Sequence, residues 1–300
     1  MISEEEFLSV IETAKCWNVS ERSIRNYCAS GRIDGAIMRN GEWRIPANAT
    51  KPKRKPRRRK MPSNIARILQ VEMEAQLKGG LYHQVQIDLT YNSNHIEGNK
   101  LTHDQTRWIF ETMTLGEIAG DMHMNDIVET VNHFRCIDTV ISGFAVRLTE
   151  SFIKRLHLQL KNGTSDSRKP YFAVGDYKKM INSVNDIETA RPEHVHREMA
   201  SLLKWYASEP PTFERILDFH VRFESIHPFQ DGNGRIGRLI MFKECLKAGI
   251  LPFIITDALK RFYYRGLHEW PRIKEYLLDT CRTGQDQFAA MVKAYGHEES

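Results

Sequence analysis

Residues 51–60 read KPKRKPRRRK, eight basic side chains with no acid among them, and this run limits what the rest of the chain can fold into. Pro52 and Pro56 inside it, and Pro62 just beyond, remove main-chain donors that a regular helix needs, and the like charges repel. A hydrophobic core cannot close around such a segment. It predicts an extended linker over 51–62, separating a head at 1–50 from a body at 63–300. The run also skews the formal net charge of +5. Removing its eight charges from the 43 Lys and Arg leaves 35 against 38 Asp and Glu, a net of −3. Affinity for polyanions is therefore expected to be local.

Apolar residues make up 41% of the chain and charged ones 27%, which fits a globular protein with one large core and room for a small second one. The longest apolar stretch, 248–255, is short and broken by Gly249 and Pro252, so no membrane span is expected. The start, Met1-Ile2-Ser3-Glu4-Glu5-Glu6, lacks the basic residues and apolar core of a secretory leader. Five scattered cysteines without a CxxC pair disfavour a disulfide framework or a zinc site and fit a reducing compartment. The expected location is cytoplasmic.

Apolar spacing predicts helices through most of the body, at 66–77, 82–94, 102–114, 126–140, 150–160, 194–207, 213–226 and 236–248, then around 256–270 and 271–281. Thr102, followed by Asp104 and Gln105, reads as a helix start. The stretch 162–190, rich in Gly, Ser, Asp and Lys, breaks the pattern and has room for a short hairpin. The fold class is all-α with a small β-hairpin. The head differs. Two short helices, 12–18 and 20–29, meet at a tight turn with Ser20 as N-cap and Gly31 after the second. Strands at 36–38 and 43–45 then flank Asn40-Gly41. This order predicts a winged helix-turn-helix.

Chemistry concentrates in 227–238, HPFQDGNGRIGR, between two helical segments. Gly232-Asn233-Gly234 falls at a helix N-terminus, where open N–H groups and the helix dipole favour phosphate. Asp231 is a hard oxygen donor suited to Mg²⁺, and Arg235 and Arg238 carry charge for phosphate oxygens. His227 is the one group of the segment able to take a proton near neutrality. A nucleotide–metal complex on the turn, attacked by a hydroxyl that His227 deprotonates, accounts for every part. Taken singly, each residue would suit an ordinary turn.

The string resembles the Fic motif, HPFx(D/E)GNGRxxR, at each of its fixed positions, and similarity extends over about 81–270, including 220–226, Leu156-His157 and Val131-Asn132-His133. The resemblance implies a helical Fic fold with a hairpin flap. It implies AMP transfer from ATP, with Mg²⁺ or Mn²⁺, to a Ser, Thr or Tyr hydroxyl of a protein target, the chain itself included. It casts His227 as base, Asp231 as metal ligand, Gly232, Asn233 and Gly234 as phosphate cradle, and Arg235 and Arg238 as phosphate contacts.

Residues 93–99, SNHIEGN, are similar to the inhibitory (S/T)xxxE(G/N) motif of that family, with Ser93, Glu97 and Gly98 at its fixed positions. The likeness implies that Glu97 pairs with Arg238 and withholds it from the γ-phosphate. The same Glu allows a second activity, removal of AMP from a modified protein. The family flap maps to 177–191, with Lys178, Lys179, Met180 and Ile181 nearest the site. Tyr263 and Tyr264 resemble the aromatics that border adenine, but no clear counterpart of the family's adenine-reading Asn lies near Trp270-Pro271. The nucleotide's identity is thus less constrained than its binding.

The head, over 13–46, resembles excisionase or MerR-type modules. That implies DNA contacts from Ser23, Arg25 and Asn26 on the second helix and from Arg39 and Arg44 on the wing, aided by the basic run. The head itself holds six basic and seven acidic residues, so a protein-docking role is the competing reading, as is a transcription regulator whose body senses nucleotide. A homo-oligomer stays open.

Overall fold

The computed structural model describes residues 7–39, 42–52, 65–114, 122–184 and 187–297. The turn at 40–41 and most of the basic run lie outside the described residues. Packing divides the chain into two compact units: Met1–Arg59 with Arg261–Thr283, and Lys60–Lys260 with Gly284–Ser300. The segment 261–283 therefore groups with the head, whereas the sequence reading placed it in the body.

In the first unit, β1 (Phe7–Ser9), α1 (Val10–Trp17), α2 (Glu21–Ala29), β2 (Ile37–Arg39) and β3 (Glu42–Pro46) follow in order. The strands form an antiparallel sheet ordered β1-β3-β2, with Ile37 opposite Arg44 and Leu8 opposite Ile45. The two helices and the β2–β3 pair were legible from sequence. The third strand, β1, was not. Ser9 starts α1 with a capping box to Glu12, and the Ser20 hydroxyl caps α2 at Ser23 N–H. Gly31 follows α2 at φ 64°. Val10, Ala14, Val19, Ile24, Tyr27, Ile33 and Ile45 form a small core.

The second unit is helical: α3 (Ile65–Glu74), α4 (Leu81–Ile96), α5 (His103–Thr112), α6 (Met124–Ser142), α7 (Glu150–Lys161), α8 (Pro192–Tyr206), α9 (Phe213–Ile226) and α10 (Asn233–Lys247). The helix α11 (Asp257–Glu269) and α12 (Glu275–Ala294) complete the order. Thr102 caps α5 with a capping box to Gln105. The break at 162–190 holds a 3₁₀ turn, Asp166–Arg168, and a two-stranded hairpin, β4 (Ser183–Val184) with β5 (Ile187–Glu188). Among the described residues no helix is long and apolar enough to cross a membrane.

Helix α10 positions the site. It packs against α9, α6, α4, α7 and α3, and Arg235 through Leu246 are all buried. A helix surrounded in this way lacks the one-sided stripe of a surface helix. Its inward polar groups need internal partners. Lys243 Nζ donates to the Val146 carbonyl at 2.7 Å and to Glu244 at 2.8 Å, and Tyr206 hydroxyl donates to Glu244 at 3.0 Å.

Candidate active site

The turn 227–232 joins α9 to the buried α10, and each of its ends has a left-handed residue. His227 closes α9 at φ 51°, ψ 61°, and its N–H donates to the Phe223 carbonyl. Gly232 opens α10 at φ 84°, where a Cβ would also meet Leu160 at 3.3 Å. Phe229 anchors the turn in the core, its ring stacked 4.0 Å from that of His157. The Asn233 side chain fixes the shape: Oδ1 accepts the Phe229 N–H at 2.8 Å and Nδ2 donates to the Phe229 carbonyl at 2.9 Å. Asn233 therefore serves the cradle by locking its backbone. No side chain caps the first turn of α10, so the leading N–H groups of the helix are left without a capping acceptor.

Asp231 sits in a charge network drawn from four elements. Lys161, 1% exposed at the end of α7, donates to Glu129 at 2.5 Å, Asp231 at 2.7 Å and Asp166 at 2.9 Å. Arg235 pairs with Glu129 and, at 3.1 Å, with Asp231. Burial alone would raise Asp231, but the Arg235 and Lys161 charges overcome it and hold the carboxyl well below the usual range. One oxygen each from Glu129, Asp166 and Asp231 come within 4.8 Å of one another, a hard donor set that suits a divalent cation. Asp231 is the most exposed of the three. Lys161→Met should leave these carboxylates short of a counter-charge and destabilise the fold by about 3–5 kcal/mol. That outcome reads as a lower urea midpoint at constant m; an unchanged midpoint would contradict it.

Arg238 lies one turn beyond Arg235 and meets the end of α4. Its Nε donates to Ser93 Oγ at 3.0 Å, and its NH2 donates to the Ser93 carbonyl at 2.9 Å and to Glu97 Oε1 at 2.7 Å. Glu97 is the C-cap of α4, and Gly98 follows at φ 95°. At Gly234 a Cβ would fall 2.3 Å from Glu97 Oε1. The carboxylate of Glu97 therefore lies directly over the first turn of α10, beside the same donors that would take a phosphate. The two residues, 141 positions apart in sequence, are brought together as the resemblance implied.

His227 is partly buried. Burial, then the nearby Lys178 charge, lowers its pKa below the ordinary histidine value, opposed by the Glu224 carbonyl and by Glu97 and Asp231. The imidazole is consequently neutral at physiological pH and able to accept a proton. The flap reaches the turn through Asn182, whose Nδ2 donates to the Phe229 carbonyl at 3.0 Å, and through Met180 N–H to Gln230 at 3.3 Å. Lys179, Met180 and Ile181 are exposed. Lys178 differs from its three neighbours in being buried, its N–H donating to the Pro228 carbonyl of the turn at 2.9 Å. Its Nζ donates to Asn182 and Thr189 at 2.6 Å, and burial pushes it down to about 8.

Tyr263 and Tyr264, read as adenine neighbours, belong to the unit that contains the head, with Tyr263 buried and Tyr264 exposed. In α2, Ser23 is a correction. It is 7% exposed, and its hydroxyl is bonded to Ser20 and Asp279, because the position lies on the inward face with Ile24 and Tyr27. Arg25 and Asn26 are exposed, Arg25 paired with Glu21 at 3.1 Å. Arg39 is exposed, and Arg44 is half-exposed beside Glu42. Sequence reasoning missed Lys161, Glu129, Asp166 and Asn182. Three of them are charged residues in or beside helices, and nothing in a single sequence marks which of many such residues converge.

Residues 147–245 match the Fic/DOC family, and this span contains the whole of the turn, α9, α10 as far as Cys245, and Lys161. The Fic fold is shared with a Fic domain containing signaling protein from Bacteroides thetaiotaomicron, 26% identical, with TM-score 0.62 over 78% of this chain and 99% of that one. A Fic family protein from Desulfovibrio desulfuricans, 22% identical, aligns with TM-score 0.58 over 76% of this chain and 70% of its own. In sequence, Protein adenylyltransferase Fic of Nematostella vectensis is 27% identical over 183 residues, 60% of this chain and 42% of that protein. The Drosophila persimilis protein of the same name is 28% identical over 187 residues, 59% of this chain and 34% of its own length. The chain thus spans less than half the length of these curated relatives.

Proposed function

We propose that this chain is a protein adenylyltransferase, moving AMP from ATP to a Ser, Thr or Tyr hydroxyl of a protein target, and restrained by its own Glu97. The reading is carried by one observation: His227, whose neutral form burial favours, closes the turn whose other end is the uncapped N-terminus of α10. In this reading the α10 N–H groups and Arg238 bind the ATP phosphates. His227 takes the proton of the incoming hydroxyl, the oxygen bonds to the α-phosphorus, and pyrophosphate leaves. Mg²⁺ held by Asp231 would supply neutralising charge to the phosphates. Glu97, seated on Arg238, keeps the guanidinium from the γ-phosphate, since carboxylate and phosphate compete for the same donors. The exposed flap residues beside Gln230 offer main-chain groups for an added target strand.

The direct test is labelled ATP and Mg²⁺ added to the full chain with a cell lysate as target pool. Radiolabel from the α-phosphate should appear on protein, and label from the γ-phosphate should not. Label from the γ-phosphate would overturn the reading in favour of phosphoryl transfer. Release of AMP from a modified target is the second activity of the same site, and it predicts that Glu97→Gly destroys release while leaving ATP binding intact.

We further propose that the head is a winged helix-turn-helix that binds DNA through Arg25, Asn26, Arg39 and Arg44, exposed or half-exposed on α2 and the wing, together with the basic run. Anisotropy of a labelled duplex should show affinity falling steeply between 50 and 200 mM salt, by about a hundredfold or more if several phosphates are met. Equal affinity across that range would favour a protein-docking head.

A further inference from the structure

Glu224 occupies the last turn of α9, three residues before His227, and no step above uses it. Its Oε2 lies 3.9 Å from His227 Nδ1, too far for a hydrogen bond but close enough for direct charge coupling. Its Oε1 is buried without a hydrogen-bond partner among the described residues. The carboxyl is enclosed by α10, where a Cβ at Gly237 would come within 3.0 Å of Oε1 and within 2.6 Å of His220 Nδ1. A buried carboxyl left unsatisfied beside an imidazole is costly unless it has a use.

We propose that Glu224 is a positioning residue for His227, acting on the ring through Nδ1, and that Glu97 governs whether it does so. The proposal rests on the reading of His227 as base and Glu97 as brake. The groups facing Glu224 are His220 and His227 on α9, Arg238 on α10 and Glu97 at the end of α4. Burial, then the Glu97 carboxylate, pushes Glu224 up to about 8, against the pull of Arg238. With Glu97 seated, the shift favours the neutral acid, which gives the imidazole no counter-charge. Departure of Glu97 removes one repelling carboxylate and frees Arg238 from its partner, and both changes favour ionised Glu224. An ionised Glu224 then favours the proton on Nδ1 through its charge, leaves Nε2 free to accept, and stabilises the imidazolium that forms. The brake thus acts on the phosphate site and on the base together.

The test is a cycle of four full-length chains: wild type, Glu224→Gln, Glu97→Gly, and the double variant. Ring-nitrogen NMR of ¹⁵N-histidine protein follows the His227 titration, with His227→Ala to assign its signals. Glutamine copies the neutral acid. In the presence of Glu97 the substitution should therefore scarcely move the His227 midpoint. In the Glu97→Gly background it should lower that midpoint by about one pH unit or more. The acid limb of kcat for AMP transfer should move with it, at constant KM for ATP. Equal shifts in both backgrounds, or none in either, overturn the proposal. Should the glutamine chain fail to fold, Glu224→Asp, which withdraws the charge by one methylene, must also lower the midpoint in the Glu97→Gly background. If the Glu97→Gly chain transfers no AMP, the functional reading fails, while the ring-nitrogen titration still decides the role of Glu224.

Discussion

Replacing His227 by alanine, in a chain already carrying Glu97→Gly, is expected to lower AMP transfer by about a hundred- to ten-thousand-fold, the usual range for loss of a general base. ATP affinity, read by calorimetry, should change little. In the proposed reading the phosphates meet α10 donors and Arg238, and neither depends on the imidazole. The pH dependence follows from the direction of the histidine's shift. Burial and Lys178 lower its pKa, so the ring is already neutral at pH 7, and activity should decline only as acid titrates it below the ordinary histidine range. An enzyme variant without His227 that transfers AMP at the parent rate would remove the residue from its role.

Glu97→Gly alone is expected to raise AMP transfer by roughly 10- to 100-fold, equivalent to a coupling of about 1.4–2.7 kcal/mol. The present contact explains the direction. Arg238 is 4% exposed and gives both NH2 hydrogens, to Glu97 and to the Ser93 carbonyl, so a further acceptor can engage NH2 only by displacing one of them. Glycine removes the competitor and its charge. Arg238→Ala should then cancel the gain, because the freed guanidinium is what the substitution supplies. If Glu97→Gly leaves the initial rate of label transfer unchanged, Glu97 is no brake.

Local signals carried most of the fold. The Thr102 capping box, the Ser20 cap, Gly31 after α2 and Gly98 after α4 all mark boundaries that short-range hydrogen bonding enforces. β1 escaped notice because three residues, Phe7–Ser9, are too few to show alternation. Helix α12 runs on to Ala294, well past the end expected near 281. Within the site, 227–238 was legible because its chemistry is contiguous. The Glu97–Arg238 pair was legible only through resemblance, since no local rule links residues 141 apart. The Lys161 hub was not legible at all. Its partners come from α6, a 3₁₀ turn and the 227–232 turn, and each is an ordinary charged residue in its own segment.

The enclosure of α10 has a consequence for how this protein can evolve or be controlled. A turn mounted on a helix gripped from all sides cannot be tuned by moving the helix, because any shift disturbs five neighbours at once. Adjustment is left to whatever touches the turn and the start of the helix from the rim: the end of α4 and the flap residues Met180 and Asn182. Signals that alter activity, and substitutions that alter target choice, should therefore gather at those two borders and spare the helix in the middle.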